Sequence, residues 1–147
     1  MKAVVQRVRE ASVSVENREV GHIERGYVAL VGFNGDEDEL VLRWMARKIA
    51  TLRVFEDENG RMNLPLEAVD GKILIVSQFT LYGDVTRGAR PSFDQSAPAE
   101  TARRLYERFV ELVEAEVPGR VATGEFQAMM SVSLVNDGPV TLIIEKE

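Results

Sequence analysis

The sequence predicts a mixed α/β domain in which helices cover a sheet. Three observations point there. Segments with period-two alternation, or continuous apolar runs, recur along the chain and read as strands. Two segments carry apolar residues at helical spacing instead. Asn-Gly, Asp-Gly and Pro-Gly steps separate the segments as turns do. The chain has 147 residues, 45% hydrophobic and 29% charged, so residues 1–147 read as one domain.

The elements follow in order. Ala3 to Val8 and Ser12 to Val15 read as strands, with a turn at Glu16-Asn17-Arg18 and a return through Val20 to Ile23. Gly26 opens Tyr27-Val28-Ala29-Leu30-Val31-Gly32-Phe33, a continuous apolar run suited to a strand buried on both faces. Asp36 is the expected cap of the first helix, with Glu39 completing a capping box. Leu42, Met45, Ile49 and Leu52 then share one helical face. Arg53 to Glu56 reads as a short strand, and Asn59-Gly60 turns the chain into Met62 to Leu64. Asp70-Gly71 launches one strand from Lys72 to Tyr82, apolar in its first half and polar at Ser77, Gln78 and Thr80. Gly83 to Gln95 reads as a loop. Ser96 is the expected cap of a second helix, with Pro98 in its first turn and Leu105, Phe109 and Leu112 as its buried stripe. Pro118-Gly119 ends that helix. Two last strands, Ser131 to Asn136 and Val140 to Glu145, are joined by Asp137-Gly138-Pro139.

Composition removes several function classes. There is no cysteine, so disulfides, thiolate metal sites and cysteine nucleophiles are absent together. The net charge is −6, which argues against a non-specific nucleic-acid coat but not against a nucleic-acid end held in a pocket. Arg43, Arg47, Lys48 and Arg53 follow the acidic run Asp36-Glu37-Asp38-Glu39. That order reads as a helix whose ends complement its dipole, with a phosphate contact as the alternative. No apolar run approaches the ~20 residues that cross a bilayer, and the opening residues carry no signal-peptide core, so the chain reads as cytoplasmic and membrane-free.

Catalytic sets can be tested by elimination. His22 is the only histidine and lies beside turn residues, so no His-rich metal cluster can form. No Gly-x-Ser-x-Gly elbow, phosphate loop or dinucleotide fingerprint occurs. Two segments break local rules. Ser77-Gln78-Phe79-Thr80 places uncharged hydrogen-bonding side chains at the end of a buried strand. It is either a solvated strand end or a polar pocket floor that binds through side chains and backbone N–H groups. Asn136-Asp137-Gly138-Pro139-Val140-Thr141 adds a proline where Asp-Gly alone would make a hairpin turn. The proline removes a ladder donor and allows a cis bond.

These two segments resemble those of the D-aminoacyl-tRNA deacylases. Val5-Gln6-Arg7-Val8, Ala46-Arg47-Lys48-Ile49 and Arg87-Gly88-Ala89-Arg90-Pro91-Ser92-Phe93 match as well, in the family's order. One departure is visible: the family usually has Phe-Gly-Ala-x-Met, and here Phe126-Gln127-Ala128-Met129-Met130 puts Gln127 in place of glycine. The resemblance implies a homodimer with a three-layer fold, largely antiparallel strands and two main helices. The implied reaction is hydrolysis of the ester between a D-amino acid, or mischarged glycine, and the terminal adenosine of tRNA. No cofactor is implied, and the 2′-OH of the terminal ribose assists. By position, Ser77, Gln78, Phe79 and Thr80 form the floor, with Thr80 positioning rather than attacking. Gly138 and Pro139, joined by a cis bond, enter the partner's active site as a filter against L-amino acids. Arg7 braces that loop. Phe126, Ala128 and Met130 line the adenosine wall. A non-catalytic RNA-end binder and a small-ester esterase are the rival readings.

Overall fold

The computed structural model describes all residues from Met1 to Glu147. Its strands are β1 (Lys2–Val15), β2 (Arg18–Ile23), β3 (Gly26–Gly32), β4 (Phe55–Glu56), β5 (Met62–Leu64), β6 (Lys72–Ser77), β7 (Val121–Thr123) and β8 (Ser131–Glu145). The helices are α1 (Glu39–Ala50) and α2 (Ala99–Glu116), with 3₁₀ turns at Leu66–Val69 and Phe79–Tyr82. The main sheet runs β2-β1-β3-β6-β7, and β8 joins β1. β8 lies antiparallel along β1 from Lys2↔Glu145 to Ser14↔Ser131. β2 and β3 therefore share the other edge of β1, opposite Ala11–Val15 and Lys2–Val8 respectively. β3–β6 and β6–β7 are parallel, and the other pairs are antiparallel.

The sheet separates two cores. On one face α1 and α2 bury Leu42, Met45, Ile49, Leu105 and Phe109 against Ala3, Val5, Ala29, Val31, Ile73 and Ile75. Two tyrosines tie the helix layer to neighbouring backbone: the Tyr27 hydroxyl donates to the Ile49 carbonyl, and Tyr106 donates to Ile75 at 2.9 Å. Both buried hydroxyls are thereby satisfied. On the other face Val28, Leu74 and Val76 meet Val8, Ala11, Val13 and Ile23 in a second core. β1 reaches both because it carries a bulge. Val8 faces Asn136 and Glu10 faces Val135, so Arg9 is the extra residue. One extra residue flips the inward parity, from Ala3 and Val5 toward the helices to Ala11 and Val13 toward the second core. The two segments read as separate strands are thus one bulged strand.

Other boundaries also move. Asp38, not Asp36, caps α1, accepting from the Val41 N–H at 2.9 Å. Glu37 turns back to accept from the N–H groups of Asn34 and Gly35, and it pairs with the Met1 ammonium at 3.0 Å. Glu39 is drawn instead to Arg43 and Arg108. Ser96 caps nothing. α2 starts at Ala99 after Pro98, and the Ser96 hydroxyl donates to the Phe79 carbonyl at 3.1 Å. The strand from Lys72 stops at Ser77, and β7 had no signal beyond three residues after a turn. The Asp137-Gly138-Pro139 step is no hairpin. Both flanking segments lie end to end on β1, and Asp137–Val140 bulge out opposite Arg7 alone, between Val8↔Asn136 and Gln6↔Thr141. No helix is long and apolar enough to cross a membrane.

Candidate active site

β3 and β6 are parallel, so their C-terminal ends open side by side at Gly32-Phe33 and Val76–Phe79. Crevices outside the carboxyl ends of parallel strands are natural binding places, because the chain must leave the sheet there. The N-terminal turn of α2 at Ala99 and Ala102, the loop residues Phe93 and Ser96, and the segment Phe126–Met130 close the rest. They enclose a cleft of about 640 Å³, within the range of small-ligand sites. Two glycines make it possible. A Cβ on Gly32 would stand 2.8 Å from the Gln78 carbonyl oxygen, and one on Gly124 would stand 2.8 Å from the Met130 sulfur.

The floor is Ser77, Gln78 and Phe79. The Gln78 N–H donates to the Val31 carbonyl at 2.7 Å and so extends the ladder; it is not available to a ligand, contrary to the expectation for the whole segment. The chain then turns, because Gln78 (φ −140°, ψ 81°) precedes the 3₁₀ turn Phe79–Tyr82. The first N–H groups of such a turn have no partner within it. Those of Phe79 and Thr80 donate to no other group of the protein either. The Thr80 hydroxyl accepts from the Gln78 amide, and Thr80 itself does not line the cleft. The Phe79 ring stands edge-on to Phe93 at 5.2 Å.

Phe126, Ala128 and Met130 all line the opposite wall. Phe126 packs on Tyr106 at 5.7 Å, and the Arg103 guanidinium lies 4.8 Å from its ring centre. Sequence reasoning missed Gly32, Phe33 and the α2 turn as lining residues. Their signal was the end of an uninterrupted apolar strand, which marks a crevice only once the parallel pairing is known.

No aspartate, glutamate, histidine, lysine, arginine or tyrosine lines the cleft. Displaced proton affinities belong elsewhere. Burial pushes the Tyr106 and Tyr27 hydroxyls up beyond the usual tyrosine range. Tyr82 is pushed up to about 12 by burial and by the charges of Glu37, Glu145 and Glu147. His22 is exposed on β2. No group of three or more histidine, aspartate or glutamate side chains is placed to hold a metal.

Gly138 and Pro139 are not in this cleft. They sit exposed on the β8 bulge, and the bond between them is cis. Arg7 lies beneath them, 6% exposed. It donates to the Asp137 carbonyl at 2.9 Å and to the Val54 carbonyl at 2.7 Å, with the Asp137 and Glu56 carboxylates at 3.8 and 3.9 Å. The Asn136 side chain closes the bulge by accepting from the Val140 N–H at 2.8 Å. The outer edge of β8 pairs with no strand, and Val132, Val135 and Ile143 are exposed along it.

Known proteins resemble this chain in sequence and fold. The profile of the family described as D-Tyr-tRNA(Tyr) deacylase matches residues 4–145. The D-aminoacyl-tRNA deacylase of Thermotoga petrophila is 53% identical over 145 residues, covering 99% of this chain and 97% of that protein. That of Koribacter versatilis is 54% identical over 147 residues, covering 100% and 98%. The solved structure of c-Myc DNA Unwinding Element Binding Protein superposes with a TM-score of 0.93 at 41% identity, covering 100% of this chain and 99% of that one. A probable eukaryotic D-amino acid tRNA deacylase superposes with a TM-score of 0.80 at 21% identity over 97% of both chains, a likeness of fold. Full-length agreement in profile, sequence and fold places this chain in the D-Tyr-tRNA(Tyr) deacylase family.

Proposed function

We propose that the protein hydrolyses the ester of D-aminoacyl-tRNA, releasing free D-amino acid and tRNA. One observation carries the mechanism: a cleft lined by no titratable side chain, whose floor ends at Phe79, where the backbone N–H groups of Phe79 and the adjoining Thr80 have no partner in the protein. Water adds to the ester carbonyl, and the carbonyl oxygen gains negative charge. The Phe79 and Thr80 N–H groups stabilise that oxygen, which is the contribution oriented donors can make without a side-chain base. The N-terminal turn of α2 adds partial positive charge on the same side. The 2′-OH takes one proton of the attacking water and passes its own to the departing 3′ oxygen as the carbon–oxygen bond to the ribose breaks, and the second proton of the water is released to solvent. The amino acid leaves as a carboxylate. Ser77, Gln78, Phe79 and Thr80 position the ester, while Phe126, Ala128 and Met130 hold the terminal adenosine. No cofactor enters this scheme.

Selectivity in this reading comes from a second copy. The unpaired β8 edge and its exposed Val132, Val135 and Ile143 suit a homodimer. Gly138 and Pro139, exposed on one subunit, would reach the cleft of the other with their carbonyl oxygens toward the substrate α-carbon. An L side chain collides there, a D side chain points away, and glycine passes. Arg7 keeps the bulge in place through the Asp137 carbonyl. A tRNA substrate also gives the protein a cytoplasmic role.

Incubation with D-tyrosyl-tRNA, L-tyrosyl-tRNA and a chromogenic ester tests the reading. Release from the D form alone is expected, from a species of twice 16.4 kDa in sedimentation. Binding of tRNA with no release from either form would make the protein an RNA-end binder. Ester cleavage without tRNA cleavage would make it a general esterase.

A further inference from the structure

We infer that Gln127 is a specificity-determining residue that reads the amino-bearing edge of the terminal adenine; the inference rests on the adenosine wall proposed above. Four non-glycine residues have positive φ: Glu16, Asn17, Asp70 and Gln127. Glu16 and Asn17 form the β1–β2 hairpin turn, and Asp70 ends a 3₁₀ turn. Only Gln127, at φ 66°, lines the cleft. It is the third residue of a turn closed by the Ala128 N–H to the Glu125 carbonyl at 3.3 Å. Glycine is the easy residue at such a position, and glutamine gains none of the local side-chain bonding that lets Asn or Asp adopt it.

The side chain has a defined orientation. Arg103 donates through Nη2 to Gln127 Oε1 at 3.4 Å, while its guanidinium stacks on Phe126 at 4.8 Å and reaches Glu107 at 4.0 Å. An arginine can only donate, so the amide oxygen faces Arg103 and the amide nitrogen faces away. The Gln127 Nε2 has no partner in the protein. The oxygen keeps a second lone pair. A glutamine amide thus offers a donor beside an acceptor, the pattern that matches adenine's N6 amine and an adjacent ring nitrogen. Phe126 lines the same wall, and Arg103 fixes both residues at once.

The test compares two non-hydrolysable amide analogues, D-tyrosyl-3′-aminoadenosine and its purine-riboside counterpart, which lacks the N6 amine. Wild type is expected to bind the adenosine analogue roughly five- to tenfold more tightly, the value of the one hydrogen bond by which the analogues differ. Gln127→Gly, which suits the backbone and keeps the fold, should bind both equally. Gln127→Glu, which keeps an acceptor for the N6 amine but loses the Nε2 donor to the ring nitrogen, should bind both analogues more weakly and still prefer the adenosine one. The same variants with D-tyrosyl-tRNA should raise KM and leave kcat unchanged, because a base contact far from the ester acts equally in ground and transition states. Equal discrimination by wild type and Gln127→Gly, or no discrimination by wild type, would overturn the inference. Absence of D-tyrosyl-tRNA hydrolysis by a wild type that still discriminates the analogues would overturn the reaction and leave the base-reading role standing.

Discussion

Replacing Phe79 by proline removes one backbone N–H from the cleft floor and little else that the fold needs. Phe79 is the first residue of its 3₁₀ turn, a position that accepts proline, and Gln78 before it (φ −140°, ψ 81°) lies outside the helical region that a following proline disfavours. The lost N–H has no partner within the protein, so no internal hydrogen bond breaks. The side chain is 54% exposed and meets Phe93 edge-on at 5.2 Å; losing that contact costs about 1 kcal/mol. Phe79→Ala carries the same side-chain loss and keeps the N–H, so the ratio of the two variants isolates the donor. If the N–H stabilises charge that develops on the ester oxygen, the ratio in kcat is about 10²–10³. A ground-state hydrogen bond would give roughly tenfold, mostly in KM. Single-turnover deacylation of D-tyrosyl-tRNA measures it, with thermal melting to check that both variants fold. Activities of Phe79→Pro and Phe79→Ala within about threefold of each other would refute the oxyanion role, since that is less than one ordinary hydrogen bond is worth.

Thr80→Ala should keep activity to within roughly tenfold, because its hydroxyl bonds Gln78 and does not face the cleft, whereas a 2′-deoxy terminal adenosine should lose far more; parallel turnover assays decide. Arg7→Ala leaves the Asp137 and Val54 carbonyls without their donor beneath the bulge, so urea unfolding should show a loss of about 3 kcal/mol, and selectivity for D over L substrate should fall. Burial raises the Glu37 carboxyl, but hydrogen bonds from Asn34, Gly35 and the N-terminal ammonium win and hold it below the usual carboxylate range. Its folded pKa is below its unfolded one, so its stabilisation is full above about pH 4.3 and disappears as pH falls through the folded value. Glu37→Gln should therefore cost about 2 kcal/mol at pH 7 in denaturant titrations, with the gap closing in acid. Neutralising Arg87 and Arg90, exposed on the loop that carries Phe93, should lower the slope of log tRNA affinity against log salt by about 0.7 per contact. Neutralising Arg43, already paired with Glu39 at 2.9 Å, should leave it unchanged.

What the sequence reveals here depends on whether a signal is local. Periodicity located α1 and α2 and their buried residues Leu42, Met45, Ile49, Leu105, Phe109 and Leu112, because 3.6-residue spacing is written along the chain. Which acidic residue caps α1 was not legible: Asp36, Glu37, Asp38 and Glu39 are chemically similar, and the tertiary pairs of Glu37 with Met1 and Glu39 with Arg108 decide among them. The bulge in β1 and the single strand β8 are properties of a pairing 130 residues apart, so alternation alone suggested separate strands and a hairpin. Of the polar residues legible at the end of an apolar strand, Ser77 and Gln78 line the cleft and Thr80 does not. The unpartnered state of the Phe79 and Thr80 N–H groups was not legible, because it follows from where the ladder stops.

The distribution of charge then becomes a design that the proposed reaction requires. Arg7 is a charged residue buried as a whole, 6% exposed. Burying an arginine is expensive unless its donors are satisfied, and here the two carbonyls and nearby carboxylates do so. It lies under Gly138 and Pro139, where the proposed exclusion of an L side chain would demand carbonyls that do not yield. The cleft, by contrast, holds no charge at all. In the proposed mechanism a neutral, largely apolar surround would strengthen the N–H donors that stabilise the ester oxygen and leave no competing base to hydrolyse other esters. Rigidity for selection and neutrality for hydrolysis are incompatible demands on one set of side chains. Placing Arg7 beneath the bulge and only uncharged groups in the cleft separates them, and in the proposed dimer each subunit's bulge would meet the other's cleft and reunite them on one substrate.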